Sequence, residues 1–177
     1  MNMLKPRLML IVSMIAAAAA ARLIPHPPNM TPVFAMALFG GATLTDKRFA
    51  FVVPLAAMFL SDILLGFHNE MLAVYGAFVL IVCLGLWLQR RMTAPTIAGA
   101  AIATSLIFFI VSDFGIWLTG DMYPRNLAGL VACYTAALPF LRNQIAGDLL
   151  YTAVLFGGFA LLERRFPVLK APRPLPA

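Results

Sequence analysis

Residues 71–89 read MLAVYGAFVLIVCLGLWLQ, a run without a charged side chain that is long enough to cross a lipid bilayer as a helix. A crossing helix needs roughly 17–25 mostly apolar residues, because nothing in lipid except the helix itself satisfies its backbone N–H and C=O groups. Charged residues divide the rest of the chain into segments that approach the same length. The pattern predicts an integral membrane protein.

The apolar segments predict an all-α fold: an integral membrane bundle of six transmembrane helices with a short extra helix on the outer face, at 126–140, closed by Pro139. The second transmembrane helix begins after Pro32, is short, and must either thin the bilayer or be shielded by its neighbours. We expect a transmembrane domain at 1–166 and an extended, Pro-rich cytoplasmic tail at 167–177. The six expected spans cover 8–24, 31–45, 49–65, 71–89, 94–118 and 144–163.

The composition points the same way. Of 177 residues, 62% are hydrophobic and 11% charged, against roughly 45–50% and about 25% in a soluble globular domain. The 13 Lys and Arg and 7 Asp and Glu are too few to cover a soluble surface. The net charge of +6 fits the excess of Lys and Arg that membrane proteins keep in the cytoplasm. Soluble enzymes and nucleic-acid-binding proteins are excluded.

The basic residues predict the orientation of the helices. Ten of the 13 fall on one side of the six-span topology, which places both termini in the cytoplasm of a bacterial cytoplasmic (inner) membrane. The alternative for the first segment is a secretory signal, since two basic residues precede an apolar run and Ala16–Ala21. The inner group is Lys5, Arg7, Lys47, Arg48, Arg90, Arg91, Arg164, Arg165, Lys170 and Arg173, and the outer group is Arg22, Arg125 and Arg142.

Three aspartates, Asp62, Asp113 and Asp148, fall within two turns of the outer ends of their expected helices, roughly 5–8 Å deep at 1.5 Å per residue. A carboxylate at that depth is costly unless it faces protein or water and finds a partner. Trp117 lies four residues after Asp113, and Gln144 lies four residues before Asp148, so each pair shares a helix face. The stripes predict a pocket open to the outside. The alternative is that the aspartates pair with Arg22, Arg125 or Arg142 and only hold the bundle together.

Motifs for catalysis are missing from the chain. It has no HExxH, GxSxG, P-loop or GxGxxG pattern, so we expect no enzyme and no cofactor. Cys83 and Cys133 lie in apolar runs without metal-ligand spacing. A weaker third alternative is a metal enzyme at the outer surface, which would need His26 or His68 near two carboxylates.

Several motifs together resemble a largely uncharacterised family of small bacterial membrane proteins that is regarded as a transport family. They span nearly the whole chain: Ile24–Pro32 (IPHPPNMTP), Ala37–Ala42 (ALFGGA), Ser61-Asp62, Ser112–Trp117 (SDFGIW), Tyr123–Arg125 (YPR), Cys133-Tyr134, Ala137–Phe140 (ALPF), Asn143 and Gly147-Asp148. That family is similar to the substrate-binding S-components of energy-coupling factor (ECF) vitamin transporters. The SDFGIW stretch departs from the family's commoner pattern, which has Asn where Asp113 stands.

The resemblance implies six helices, an outward-facing pocket for a vitamin-like small molecule, and an ECF-type energising module as a partner. It also implies that Ala16 and Ala20, which match an Ala-xxx-Ala motif of S-components, dock that module. In a cobalamin-binding subgroup a cysteine ligates cobalt, and Cys83 or Cys133 could play that part.

The sequence thus leads to one hypothesis and one alternative from another class. The hypothesis is a membrane subunit that captures a micronutrient, such as cobalamin, from the outer side. The alternative is a non-catalytic scaffold that docks partner subunits through its small-residue helix faces. A scaffold should pair all of its outer aspartates, whereas a binding protein should leave some unpaired around a void. The expected ligand-binding residues are His26, Asn29, Asp62, Asp113, Trp117, Tyr134, Asn143 and Asp148.

Overall fold

The computed structural model of the protein describes residues 4–67 and 70–170, and within these ranges it is all-helical, without a strand. Six α-helices and one short 3-10 helix follow each other along the chain. They are α1 (Leu4–Ala21), α2 (Val33–Thr43), α3 (Lys47–Leu65), α4 (Met71–Leu88), α5 (Ala94–Thr119), α6 (Leu127–Arg165) and the 3-10 helix Pro167–Leu169.

Helix α2 is the centre of the bundle. All 11 of its residues are buried, and it packs against each of the other five α-helices. At 1.5 Å per residue it spans about 16 Å, roughly half of a bilayer's hydrocarbon core. The sequence left open how so short an apolar helix could exist in a membrane. The structure shows that its neighbours shield it.

Helices α2 and α4 approach each other closely because glycine faces glycine. A Cβ atom added at Gly85 would collide with the carbonyl oxygen of Leu38 and with the backbone of Gly41. A Cβ at Gly41 would in turn collide with the backbone carbonyl of Val82. Small residues at such contacts let two backbones pack directly, which is the main source of helix association in lipid.

Gly85→Ala is therefore expected to destabilise the protein. The new methyl group meets fixed backbone, so the two helices must separate, and overpacking of this kind costs about 1–3 kcal/mol. Thermal unfolding of the detergent-solubilised protein measures the effect. Gly76→Ala on the same helix is the matched control, because a Cβ there meets nothing within 4 Å. Equal midpoints for the two variants would contradict the close packing of α2 on α4.

Helix α6 corrects the expected helix boundaries. We expected a separate outer-face helix at 126–140 and a span at 144–163, but Leu127–Arg165 is one continuous helix of 39 residues that includes Pro139. An interior proline removes one backbone hydrogen bond, yet such prolines are tolerated in membrane helices when neighbouring structure supports them. Here α5 packs along α6, and Asn126 caps its start by accepting a hydrogen bond from the Gly129 N–H at 2.9 Å.

Four helices, α3 to α6, are long and apolar enough to cross a membrane, which indicates a membrane protein. Helices α1 and α2 are apolar but contribute shorter stretches.

The end of the bundle that holds the start of α1 and the end of α6 is closed by polar contacts. The Gln89 side-chain amide donates to the carbonyl oxygens of Gly41 and Leu44, at 2.9 and 2.8 Å.

The first residues of the expected tail are not extended. Residues Pro167–Leu169 form the 3-10 helix, and the side chain of Leu169 is buried. Arg7 pairs with Glu163 and also donates to the Leu169 carbonyl oxygen at 2.9 Å. These contacts fold the start of the tail back onto α1 and α6. Residues 171–177 of the tail lie outside the described residues.

Candidate functional site

A cavity of about 380 Å³ lies at the opposite end of the bundle, where three connections between helices meet. Asn29, Glu70 and Tyr123 reach it from the segments before α2, before α4 and before α6. Most of the remaining wall comes from facing turns of α5 and α6. We call this the loop-end cavity. Its volume lies within the range of about 300–1,000 Å³ that is typical of small-molecule sites.

Asp113 is the most exceptional residue of the cavity wall. It is only 9% exposed, and within residues 4–67 and 70–170 its carboxyl group has neither a hydrogen bond nor an ion pair. The Cys133 thiol donates to the Asp113 backbone oxygen at 3.5 Å and leaves the carboxyl group untouched. The carboxyl oxygens are not among the fully buried unpaired atoms, so water or a ligand in the cavity can solvate them. The group is therefore free to bind whatever enters the cavity.

The face of α5 that carries Asp113 is otherwise mostly apolar. Phe109 and Ile116 lie one turn before and after Asp113 and line the cavity with it, as the helical period requires, and its neighbour Ser112 also lines the cavity. The Ser112 hydroxyl is satisfied within its own helix, since it donates to the Phe108 carbonyl oxygen at 2.7 Å. One acidic group thus stands in an apolar wall.

Asp62 has the opposite environment. It is 1% exposed and pairs with Arg22, and it accepts a hydrogen bond from the Tyr75 hydroxyl at 2.7 Å. Arg22 also donates to the Ser61 hydroxyl at 2.8 Å. Asp62 does not line the loop-end cavity. Its partners come from α4 and from the segment after α1, so this cluster ties three parts of the bundle together.

Asp148 lies behind the cavity wall on α6. It is 1% exposed, and one of its oxygens accepts a hydrogen bond from the Ser105 hydroxyl at 2.7 Å. The other oxygen is buried and has no hydrogen-bond partner among the described residues. Gln144, one turn earlier on the same face, does line the cavity, and its Nε2 atom is buried beside Asp148 without a hydrogen bond of good geometry. The pair forms a polar layer beneath the cavity.

The segment between α1 and α2 covers α6 near the cavity. The Asn143 side-chain amide donates to the Pro28 carbonyl oxygen at 3.2 Å, and a Cβ atom at Gly147 would press on the backbone of Met30. Asn29 adopts a left-handed backbone with φ of 59° and lines the cavity. His26 is exposed and contacts the Pro27 carbonyl oxygen. Of the residues expected in this segment, only Asn29 reaches the cavity.

Two aromatic residues that were expected to bind ligand instead donate hydrogen bonds to backbone carbonyl groups around the cavity. The Trp117 indole N–H donates to the Pro124 carbonyl oxygen at 3.1 Å, which fixes the connection between α5 and α6. The Tyr134 hydroxyl donates to the Ile110 carbonyl oxygen at 2.7 Å and joins the two helices directly. Neither ring lines the loop-end cavity.

The two cysteines lie in different surroundings. Cys133 is buried and lines the cavity beside Asp113, whereas Cys83 is exposed on the outer surface of α4. No group of three or more His, Cys, Asp or Glu residues that could hold a metal ion occurs within residues 4–67 and 70–170. His68, one of the two histidines considered for a metal site, lies outside the described residues.

Several cavity residues were not expected from the sequence. The polar ones are Glu70 and Tyr123, which are polar residues at the outer end of the chain's helices but carry no sequence signal that they converge, whereas Gln144 lies on the stripe that predicts the pocket. The aromatic ones are Phe108, Phe109 and Phe140. In an apolar helix a phenylalanine that faces a cavity has the same sequence signal as one that faces lipid, so no pattern could have identified these three.

A second concavity runs along the outside of the bundle between α1 and α3. This α1–α3 groove has a volume of about 450 Å³ and is apolar apart from Ser61. Ala16 and Ala20 lie in it, exposed, and Ala56 and Ala57 line its other wall. The alanine pair expected to dock a partner is therefore accessible.

Residues 2–169 match DUF6580, a family of unknown function, and the chain belongs to this family. The comparison with curated proteins found no match, and neither did the comparison with solved structures.

Proposed function

We propose that this member of DUF6580 is a substrate-binding membrane subunit that captures a small, vitamin-like micronutrient in the loop-end cavity. The observation that carries the proposal is the unpaired carboxyl group that Asp113, only 9% exposed as a residue, presents on the cavity wall. A protein that serves only as a scaffold gains nothing from such a group, and it would pair it as Asp62 is paired. The contrast between the two aspartates favours binding over a purely structural role.

The proposed subunit crosses the membrane six times, with both termini in the cytoplasm. The four long apolar helices and the central position of α2 support this arrangement. The cavity end carries three of the chain's 13 Lys and Arg residues, Arg22 and Arg125 in loops and Arg142 on α6, and the excess at the other end supports a cytoplasmic location for that end. The cavity would then open to the outside, where nutrients arrive.

The proposed transport role follows the resemblance to ECF S-components, and the exposed alanines are compatible with it. The protein binds its substrate without transforming it, and the energy for uptake comes from outside the chain. An ECF-type module docked on Ala16 and Ala20 would supply that energy, because the groove that holds them is open and apolar.

Cavity size and cysteine position bear on the cobalamin alternative. A volume of about 380 Å³ suits a ligand of one or two rings, whereas a corrin macrocycle would have to remain largely outside. If cobalt is bound at all, Cys133 is the better ligand, because Cys83 is exposed and does not reach the cavity. We therefore favour a smaller micronutrient.

A scaffold function is the second candidate, and the α1–α3 groove favours it. An exposed apolar face with small residues on both walls suits the close docking of another membrane helix. In that case the partner, and no small molecule, would stabilise the purified protein.

A thermal-shift screen of the detergent-solubilised protein against water-soluble vitamins tests the proposed function. At least one compound is expected to raise the unfolding midpoint by several degrees, because a ligand that binds only the folded state stabilises it. Asp113→Ala is expected to abolish that shift. Asp121→Ala removes an exposed carboxylate near the same end of the bundle, outside the cavity wall, and should leave the shift intact. Equal shifts in both variants would contradict a site at Asp113.

A further inference from the structure

The charges of the loop-end cavity are one-sided. Asp113 lines it with an unpaired carboxyl group, and no Lys or Arg residue lines it among the residues that the structure describes. This is notable in a chain that carries 13 Lys and Arg residues against 7 Asp and Glu residues. An anionic ligand would meet the Asp113 carboxyl group and no Lys or Arg side chain of the described residues, so it would lose its hydration without gaining an ionic partner. A cationic ligand would supply the partner that Asp113 lacks.

The walls of the cavity are aromatic, and two of the rings are fixed from behind. The Phe108 ring packs on Phe34 with centroids 4.2 Å apart, and the Phe109 ring meets Tyr134 edge-on at 5.3 Å. Because these contacts restrict the rings before anything binds, a flat ligand loses little of its binding energy to ordering the site. Aromatic faces also attract cations directly.

The base of the cavity is polar and uncharged. The Gln144 side chain lines it and is 2% exposed, and its Nε2 atom is buried beside Asp148 beneath the wall. Because Gln144 adds no positive charge, Asp113 sets the charge that the ligand must carry.

We propose that the ligand is a small, flat aromatic nitrogen heterocycle that carries a positive charge, either as a quaternary nitrogen or as a protonated amine. This inference rests on the proposed function and adds the chemical class of the substrate. Asp113 binds the cationic group, and Phe108 and Phe109 bind the ring faces. Carboxylated and phosphorylated micronutrients are excluded by the same arrangement.

Three pyridines that share one ring test the charge requirement: 1-methylnicotinamide is a cation, nicotinamide is neutral, and nicotinate is an anion. Isothermal titration of the detergent-solubilised protein at neutral pH measures their affinities. The cation is expected to bind at least tenfold more tightly than nicotinamide, because both an ion pair and cation–π contacts form. Nicotinate is expected to bind more weakly than either.

The matched variants are Asp113→Asn and Asp121→Asn. The first keeps the shape of the side chain and removes its charge, so the preference for the cation should fall to less than threefold. The second removes a charge away from the cavity wall and should leave the preference intact. A preference that survives Asp113→Asn would overturn the inference, as would nicotinate binding as tightly as the cation.

Failure of this inference can be told apart from failure of the proposed function. If none of the three pyridines binds, the inferred ligand class is wrong. The proposed function then depends on the vitamin screen alone, where a stabilising anionic or neutral vitamin that requires Asp113 would uphold it. A screen without any stabilising compound would overturn the proposed function as well.

Discussion

Arg22→Met is expected to lower the free energy of unfolding by about 3–5 kcal/mol, the usual cost of removing one partner from a buried ion pair. Asp62 would stay at 1% exposure with its charge uncompensated and with Tyr75 as its remaining side-chain partner. The apolar stem of methionine replaces that of arginine, so lost packing contributes little. Thermal or denaturant unfolding in detergent measures the effect.

Two further variants separate the ion pair from a general effect of removing positive charge. Arg142→Met removes an exposed arginine at the same end of the bundle and is expected to change stability by less than about 0.5 kcal/mol. The double variant Arg22→Met with Asp62→Leu removes both charges, and it should recover most of the loss because replacing a buried pair by apolar groups is often neutral. If Arg22→Met were no more destabilising than Arg142→Met, the Arg22–Asp62 pair would not stabilise the bundle.

Ala136→Trp is expected to weaken binding of any ligand found for the loop-end cavity by more than 100-fold. Ala136 lies on the cavity wall, and an indole there would occupy space that the ligand needs. No charge changes, so the variant tests the cavity independently of Asp113. A 100-fold loss corresponds to about 2.8 kcal/mol of binding free energy, at 1.4 kcal/mol for each tenfold step.

Ala132→Trp is the matched control for the filled cavity. It lies one turn earlier on α6, is exposed, and does not line the cavity. Both variants should unfold near the wild-type temperature, since both positions are exposed. Affinity that is unchanged in Ala136→Trp would place the ligand elsewhere, for example in the α1–α3 groove.

Much of the fold follows from the sequence, because a segment that crosses lipid must be a long, uninterrupted apolar helix. The expected bounds of the third, fourth and fifth helices lie within two residues of α3, α4 and α5, since charged or helix-breaking residues flank each apolar run. The sequence predicts two helices where α6 is one, because an interior proline such as Pro139 normally ends a helix in a water-soluble protein. What carries the helix through Pro139 is packing against α5, a tertiary contact that no local pattern contains.

The site was less predictable than the fold. Asp62 and Asp113 have the same residue type at a similar expected depth, yet one is paired and the other faces a cavity. The difference depends on Arg22, which is 40 positions before Asp62 in the chain and meets it only in the folded bundle. Trp117 follows Asp113 by four residues, but its indole fixes a loop instead of lining the cavity. Helical spacing shows which residues share a face and leaves open what that face meets.

The central claim is that Asp113 and the loop-end cavity hold a small molecule, and release of bound compounds from the purified protein tests it most directly. The protein is extracted from its own membrane in mild detergent and heat-denatured, and the supernatant is analysed by mass spectrometry. We predict that wild type and Asp121→Ala release the same small molecule in near-stoichiometric amount, whereas Asp113→Ala and Ala136→Trp release little or none. A wild-type protein that releases no more than Asp113→Ala would contradict the account.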